Sequence, residues 1–139
     1  MALDGPIILI EDDEHDVDVI SAAIKEDGFK AEIRSFTFAK DAMDYLMTTT
    51  EKPFVILCDI RLQGMNGLEF RRMLSENEFL RKKSIPFVFF TAAASDQIVN
   101  EAYNLDVQGF FKKPASFDEL KAQLKSIIYY WKSCLHPNV

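Results

Sequence analysis

The chain has 139 residues, with 22 acidic side chains against 16 Lys plus Arg for a formal net charge of −6, and 48% of its residues are hydrophobic. That balance excludes a disordered or collagen-like chain and fits one domain with its own core, while the acidic surplus argues against nucleic acid as a direct partner. No apolar run approaches the ~20 residues of a membrane helix and no signal-like segment opens the chain, so a cytoplasmic protein without membrane insertion is expected, with Cys58 and Cys134 as reduced thiols.

In chain order, Ile7-Ile8-Leu9-Ile10 reads as a strand buried on both faces, because four consecutive apolar residues leave no side to turn towards water. Val17, Ile20 and Ile24 then recur at helical spacing, and Gly28 closes that first helix. Residues 31–36 alternate apolar and polar, which predicts a half-exposed edge strand. Thr37 is expected to cap a second helix that runs to about Thr49 and stops ahead of Pro53. Phe54-Val55-Ile56-Leu57-Cys58 is a third strand, followed by a third helix from Leu68 to Leu80. Phe87-Val88-Phe89-Phe90 is a fourth strand, followed by a fourth helix from about Ser95 to Leu105. Gly109-Phe110-Phe111 makes a short fifth strand, and Ser116 with Glu119 forms a capping box that opens a last helix. That helix carries Leu120, Leu124, Ile127, Ile128 and Trp131 on one stripe. His15 and His136 are expected at the surface, and Arg71-Arg72 and Arg81-Lys82-Lys83 read as solvated faces.

Strands alternating with helices imply an α/β, doubly wound (βα)5 fold: a three-layer sandwich around a parallel five-stranded sheet with right-handed crossovers. Residues 1–139 read as a single domain with a core of about 6–132. Such sheets bind ligands beyond the carboxyl ends of their strands. There the sequence places Glu11, Asp12 and Asp13 after the first strand and Asp59 after the third, with Thr91 after the fourth and Lys112-Lys113-Pro114 after the fifth. Each has an ordinary explanation alone: acids cap helices, Asp ends strands as a turn residue, Thr forms strands, and Lys-Pro opens a loop. Their convergence on one edge is the informative feature. Two carboxylates at ~4 Å repel by about 4 kcal/mol at an effective dielectric of 20, so they ionise together only around a shared cation. An all-oxygen donor set suits Mg2+, for which Mn2+ can substitute, and Thr and Lys then supply donors for a phosphate-like anion. An aspartate among these groups can act as a nucleophile towards phosphorus.

The carrying motifs are I-L-I-E-D-D ending at Asp13, L-C-D-I-R-L-Q-G-M-N-G around Asp59, F-F-T-A at Thr91 and G-F-F-K-K-P at Lys113. On them the chain resembles the receiver domains of two-component response regulators, from Ile7 to about Trp131. The resemblance implies the flavodoxin-like sheet order 2-1-3-4-5. It implies Asp59 as acceptor of a phosphoryl group from a sensor histidine kinase or histidine phosphotransfer protein. Asp12 would be a direct metal ligand and Glu11 would act partly through water, with Asp59 and the backbone carbonyl of Arg61 completing the set. Lys113, the lysine that immediately precedes the proline, would be the active-site lysine. Thr91 would bond a phosphoryl oxygen, and Phe110 would be the aromatic switch. Such a module is no enzyme beyond its own phosphorylation and dephosphorylation. It signals through the face of the fourth helix, fifth strand and last helix, by homodimerisation or by docking a partner.

Three positions depart from the family's commonest pattern: Gln63 replaces a proline, Glu11 replaces an Asp, and Phe110 lacks a hydroxyl. With eight residues after Trp131, no output domain is expected, and the aromatic end is similar to that of stand-alone receivers that work with phytochrome-type kinases. Two other readings fit less well. A haloacid-dehalogenase-like phosphatase wants a second Asp where Arg61 stands, and a flavodoxin-like binding module wants a Gly-rich hydroxyl loop where Glu11-Asp12-Asp13 stand.

Overall fold

The structure is a computed structural model that describes residues 2–92 and 94–138. Five strands, β1 (Ile7–Ile10), β2 (Ile33–Phe36), β3 (Val55–Cys58), β4 (Phe87–Thr91) and β5 (Gly109–Lys112), form one parallel sheet in the order β2-β1-β3-β4-β5. The register sets Leu9 opposite Ser35 on one side and Leu57 on the other, with Leu57 opposite Val88 and Val88 opposite Gly109.

Successive strand residues point to opposite faces, and the sequence is apolar at both parities. Ile8, Ile10, Ile56, Cys58, Phe87 and Phe89 feed one core layer, whereas Ile7, Leu9, Val55, Leu57, Val88 and Phe90 feed the other. The first layer is closed by α2 (Ala39–Thr48), α3 (Gly67–Glu76), α4 (Glu78–Lys83) and α5 (Asp96–Asn104), through Leu46, Phe70, Leu80 and Ala102. The second is closed by α1 (Glu14–Glu26) and α6 (Phe117–Ser133), through Ile20, Ile24, Leu124 and Ile127. Each large side chain buried this way contributes about 1.5–3 kcal/mol. That is why the interior strands are the longest apolar runs in the chain.

Several expectations are corrected. The single helix expected over residues 68–80 is two, because Asn77 turns extended (φ −91°, ψ 111°) and its side chain accepts from the Leu80 N–H, starting a new helix. Thr37 caps nothing: the backbone stays extended through Phe38, so α2 starts one residue too late for the Thr37 hydroxyl to reach its free N–H groups. β2 covers only residues 33–36. Arg71 is not on a solvated face, since its guanidinium donates to the carbonyls of Leu105 (3.0 Å) and Asp106 (3.1 Å) at the end of α5. Gly28 does follow α1, at φ +80°, where a side chain would be strained.

The largest correction is His136, which is 5% exposed. After α6 the chain folds back over the start of β3. His136 Nε2 lies 2.7 Å from the Phe54 carbonyl oxygen, and the Asn138 backbone N–H donates to Nδ1 at 3.0 Å. A backbone N–H only donates, so Nδ1 is the acceptor and the ring is a neutral imidazole protonated on Nε2. The ring packs against Phe54 and Trp131, and the Asn138 side chain donates to the Pro53 carbonyl at 3.1 Å. His136→Ala leaves a buried carbonyl and N–H unpaired and is expected to destabilise by about 2–3 kcal/mol. Urea unfolding checks this; a variant within about 0.5 kcal/mol of the parent would mean that the tail contributes nothing.

Candidate functional site

The sheet ladder continues one residue past the strands and places the polar groups. Glu11 N–H donates to the Phe36 carbonyl at 3.0 Å, Asp59 N–H to the Ile10 carbonyl at 3.0 Å, and Lys113 N–H to the Thr91 carbonyl at 2.8 Å. Glu11, Asp59 and Thr91 are therefore fixed by backbone at one edge of the sheet, and all three are buried.

The Lys113 ammonium lies among three carboxylates: it donates to Glu11 Oε1, to Asp16 Oδ2 at 2.8 Å and to Asp59 Oδ2 at 2.9 Å. Asp59 Oδ1 faces the other way and accepts from the backbone N–H groups of Ile60 (2.7 Å) and Arg61 (3.3 Å). The Thr91 side chain is hydrogen-bonded to Asp59 as well. Burial alone would raise the Asp59 carboxyl, but the hydrogen bonds from Thr91 and Lys113 and the charge of the ammonium outweigh it, so the group ionises more readily than an ordinary aspartate. Lys113 is the mirror case: burial opposes its charge, and the bonds to Asp16, Glu11 and Asp59 hold it above its ordinary value. Glu11 goes up, to about 7, driven first by burial and further by the charge of Asp59, against the Lys113 bond.

A close approach fixes the acceptor loop. Gly67 N–H donates to the Ile60 carbonyl at 2.9 Å, and a Cβ on Gly67 would stand 2.3 Å from the Asp59 carbonyl oxygen. Only glycine lets α3 start this near to Asp59. Asn66 and Glu69 complete a reciprocal capping box there. Beneath the site, Cys58 is fully buried, and burial with the charges of Asp59 and Glu11 pushes its thiol well up, keeping it neutral.

Of the residues singled out in the sequence, Glu11, Asp59, Thr91 and Lys113 are brought together. Asp12 is half-exposed and makes no hydrogen bond or ion pair within the described residues. Asp13 is the N-cap of α1, its side chain accepting from His15 (2.8 Å) and Asp16 (3.2 Å) N–H groups. Phe110 is half-buried, with its ring 5.9 Å from that of Phe89 in the first core layer. Asp16 was missed. Its signal was available: three residues past an N-cap, a side chain stands over the helix N-terminus, the end that faces the strand ends here.

The donor set suits a hard divalent cation. Glu11, Asp12 and Asp59 offer carboxylate oxygens and Arg61 a carbonyl, and the carboxylates outnumber the single ammonium. Among the described residues no three ligands stand ready-made for a metal; the Lys113 ammonium lies between Glu11 and Asp59, where two carboxylates require positive charge.

The Glu11 environment gives a pH dependence. Its folded carboxyl binds a proton more tightly than an unfolded one at 4.5, so between about 4.5 and about 7 the folded protein holds a proton the unfolded chain has released. Stability of chelator-treated protein is therefore expected to fall as pH rises through that window. At about 1.4 kcal/mol per tenfold in proton affinity, the loss is on the order of 3 kcal/mol. Asp59 acts oppositely and lower, its stabilisation being lost as pH falls through the acid side of its ordinary 3.8. Urea midpoints at pH 5 and pH 7.5 test this, and a Glu11→Gln variant with the same slope would contradict it.

The family model described as "Response regulator receiver domain" matches residues 7–125. The probable methanogenesis regulatory protein FilR2 of Methanothrix harundinacea is 33% identical over 129 residues, covering 90% of this chain and 82% of that protein. The transcriptional regulatory protein CrdR of Helicobacter pylori is 31% identical over 93% of this chain, which spans 62% of CrdR. The crystal structure of the phosphorylated cyanobacterial phytochrome response regulator RcpA superposes with a TM-score of 0.83 at 25% identity, covering 93% of this chain and 94% of RcpA. No helix among the described residues is long and apolar enough to cross a membrane.

Proposed function

The chain belongs to the response regulator receiver domain family, and from that premise we propose that it accepts a phosphoryl group on Asp59 and signals by a change of its α5-β5-α6 face. Receiver domains are signalling modules that histidine kinases phosphorylate and that bind Mg2+ or Mn2+ in an acidic pocket. The observation that supports the reading here is the Lys113 ammonium bridging Glu11 and Asp59, with Thr91 bonded to Asp59, at the carboxyl ends of four strands. The donor is a sensor histidine kinase or a histidine phosphotransfer protein, and the module works in the cytoplasm. Its output is a homodimer or a docked partner protein rather than direct contact with nucleic acid.

Asp59 Oδ2 is the attacking oxygen, because it faces the Lys113 ammonium that is to serve the incoming phosphoryl oxygens, while Oδ1 is turned into the backbone N–H groups of Ile60 and Arg61. The bond from Asp59 to phosphorus forms as the bond from phosphorus to the donor's imidazole nitrogen breaks, leaving with its electron pair. Glu11, Asp12, Asp59 and the Arg61 carbonyl would hold the metal, which when bound supplies charge neutralisation for the phosphoryl oxygens. Lys113 and Thr91 then turn donors from the carboxylate towards the phosphoryl oxygens. Movement of Thr91 inward opens space that the Phe110 ring fills, since Phe110 already packs on Phe89, two residues before Thr91 in β4.

The test is amide exchange with and without beryllofluoride at saturating Mg2+. Slowed exchange in α5, β5 and α6 is expected, together with a change in sedimentation if the face dimerises. Identical exchange across residues 91–131 would remove the switch.

A further inference from the structure

An ammonium has three N–H bonds, and in Lys113 all three are committed: to Glu11, to Asp16 and to Asp59. Two of these acceptors belong to the phosphoacceptor chemistry. The third comes from the first turn of α1 and has no part in it. Asp16 is also the most exposed of the three, its side chain being 35% accessible against 2% for Glu11 and 9% for Asp59. It reaches the ammonium from the solvent side, from which a phosphodonor must arrive.

We infer that Asp16 is a positioning residue that competes with the phosphoryl group for Lys113 and so weakens the hold of the site on its phosphoryl group. The inference rests on Asp59 being the acceptor. A phosphoryl group on Asp59 Oδ2 brings non-bridging oxygens that draw on the same ammonium. One N–H is released when Oδ2 becomes a bridging oxygen and a poorer acceptor. A second is available only if Lys113 leaves Glu11 or Asp16. Glu11, buried and also accepting from the Asp13 N–H, would serve the metal, so the acceptor left to contend with the phosphoryl oxygens for the ammonium is Asp16, whose carboxylate opens to water. Two anions on one ammonium also repel each other, so the Asp16 charge and its demand for an N–H act in the same direction.

The measurement is beryllofluoride affinity at saturating Mg2+ for the parent chain, Asp16→Asn and Asp16→Glu. Beryllofluoride stands in for the phosphoryl group on Asp59. Asp16→Asn is expected to bind it roughly fivefold more tightly, the size of effect that a partly exposed ion pair carries. Asp16→Glu, which keeps the charge beside the ammonium, is expected within about twofold of the parent. A merely structural role at the helix start would weaken binding in step with stability and would not be rescued by charge. Unchanged or weaker binding in Asp16→Asn, or an Asp16→Glu chain that behaves like Asp16→Asn, would overturn the inference while leaving Asp59 as acceptor. Failure of the parent and both variants to bind at all would bring down the phosphoacceptor reading, and this inference with it.

Discussion

Asp59→Asn is expected to abolish phosphorylation by a small donor such as acetyl phosphate, lowering incorporation on the order of a hundredfold or more. The amide oxygen can still accept from the Ile60 and Arg61 N–H groups, so the loop keeps its shape. It loses the anionic oxygen that Lys113 and Thr91 hold below the ordinary carboxylate range, and with it the nucleophile. Asp59→Asn also removes a negative charge that pushes Glu11 up, so the Glu11 carboxyl is expected to come down in the variant. Intact-mass analysis gives the answer directly: one phosphoryl increment on the parent and none on the variant. The same increment on Asp59→Asn would show that another residue is the acceptor.

Withdrawal of divalent cations is expected to have an effect of the same order, again about a hundredfold on the rate with acetyl phosphate. The reason is charge. Glu11 and Asp59 share one ammonium with Asp16, leaving a negative pocket that repels a phosphodonor. Asp12→Ala is expected to mimic chelation, because Asp12 is the carboxylate at this edge that no protein group engages within the described residues. Full phosphorylation in excess EDTA, or an Asp12→Ala chain as responsive to Mg2+ as the parent, would contradict the assignment. Trp131 is a poor reporter for the titration, since it packs on His136 at the other end of β3, so calorimetry or NMR is the appropriate readout.

Strand identity was legible because both parities of β1, β3 and β4 are apolar, and only a sheet covered on both faces rewards that pattern. Glu11, Asp59 and Thr91 were legible for a related reason, since each follows an apolar run directly, whereas Lys113 comes one residue later, after Lys112, and was singled out by the resemblance through its place before Pro114. What could not be read depended on contacts between distant segments. Nothing local to Arg71 says that the end of α5 will offer it two carbonyls, and nothing local to His136 says that Phe54 will. The break at Asn77 was written in the chain as a helix-capping residue in mid-helix, but apolar spacing across it is continuous enough to hide it. For Asp16 the place over the start of α1 was legible from its spacing after Asp13, but its partner, 97 residues away, was not.

The fold-back of residues 134–138 onto Pro53 and Phe54 has a practical side for anyone attaching cargo. Asp59 and Pro53 stand at opposite ends of β3, ~20 Å apart at the usual rise of an extended chain. A reporter or tag joined after Asn138 therefore departs from the pole of the domain away from the acid pocket and leaves the phosphodonor's approach clear. A tether placed there still pulls on the His136 contacts, so a few small, polar spacer residues should precede the cargo.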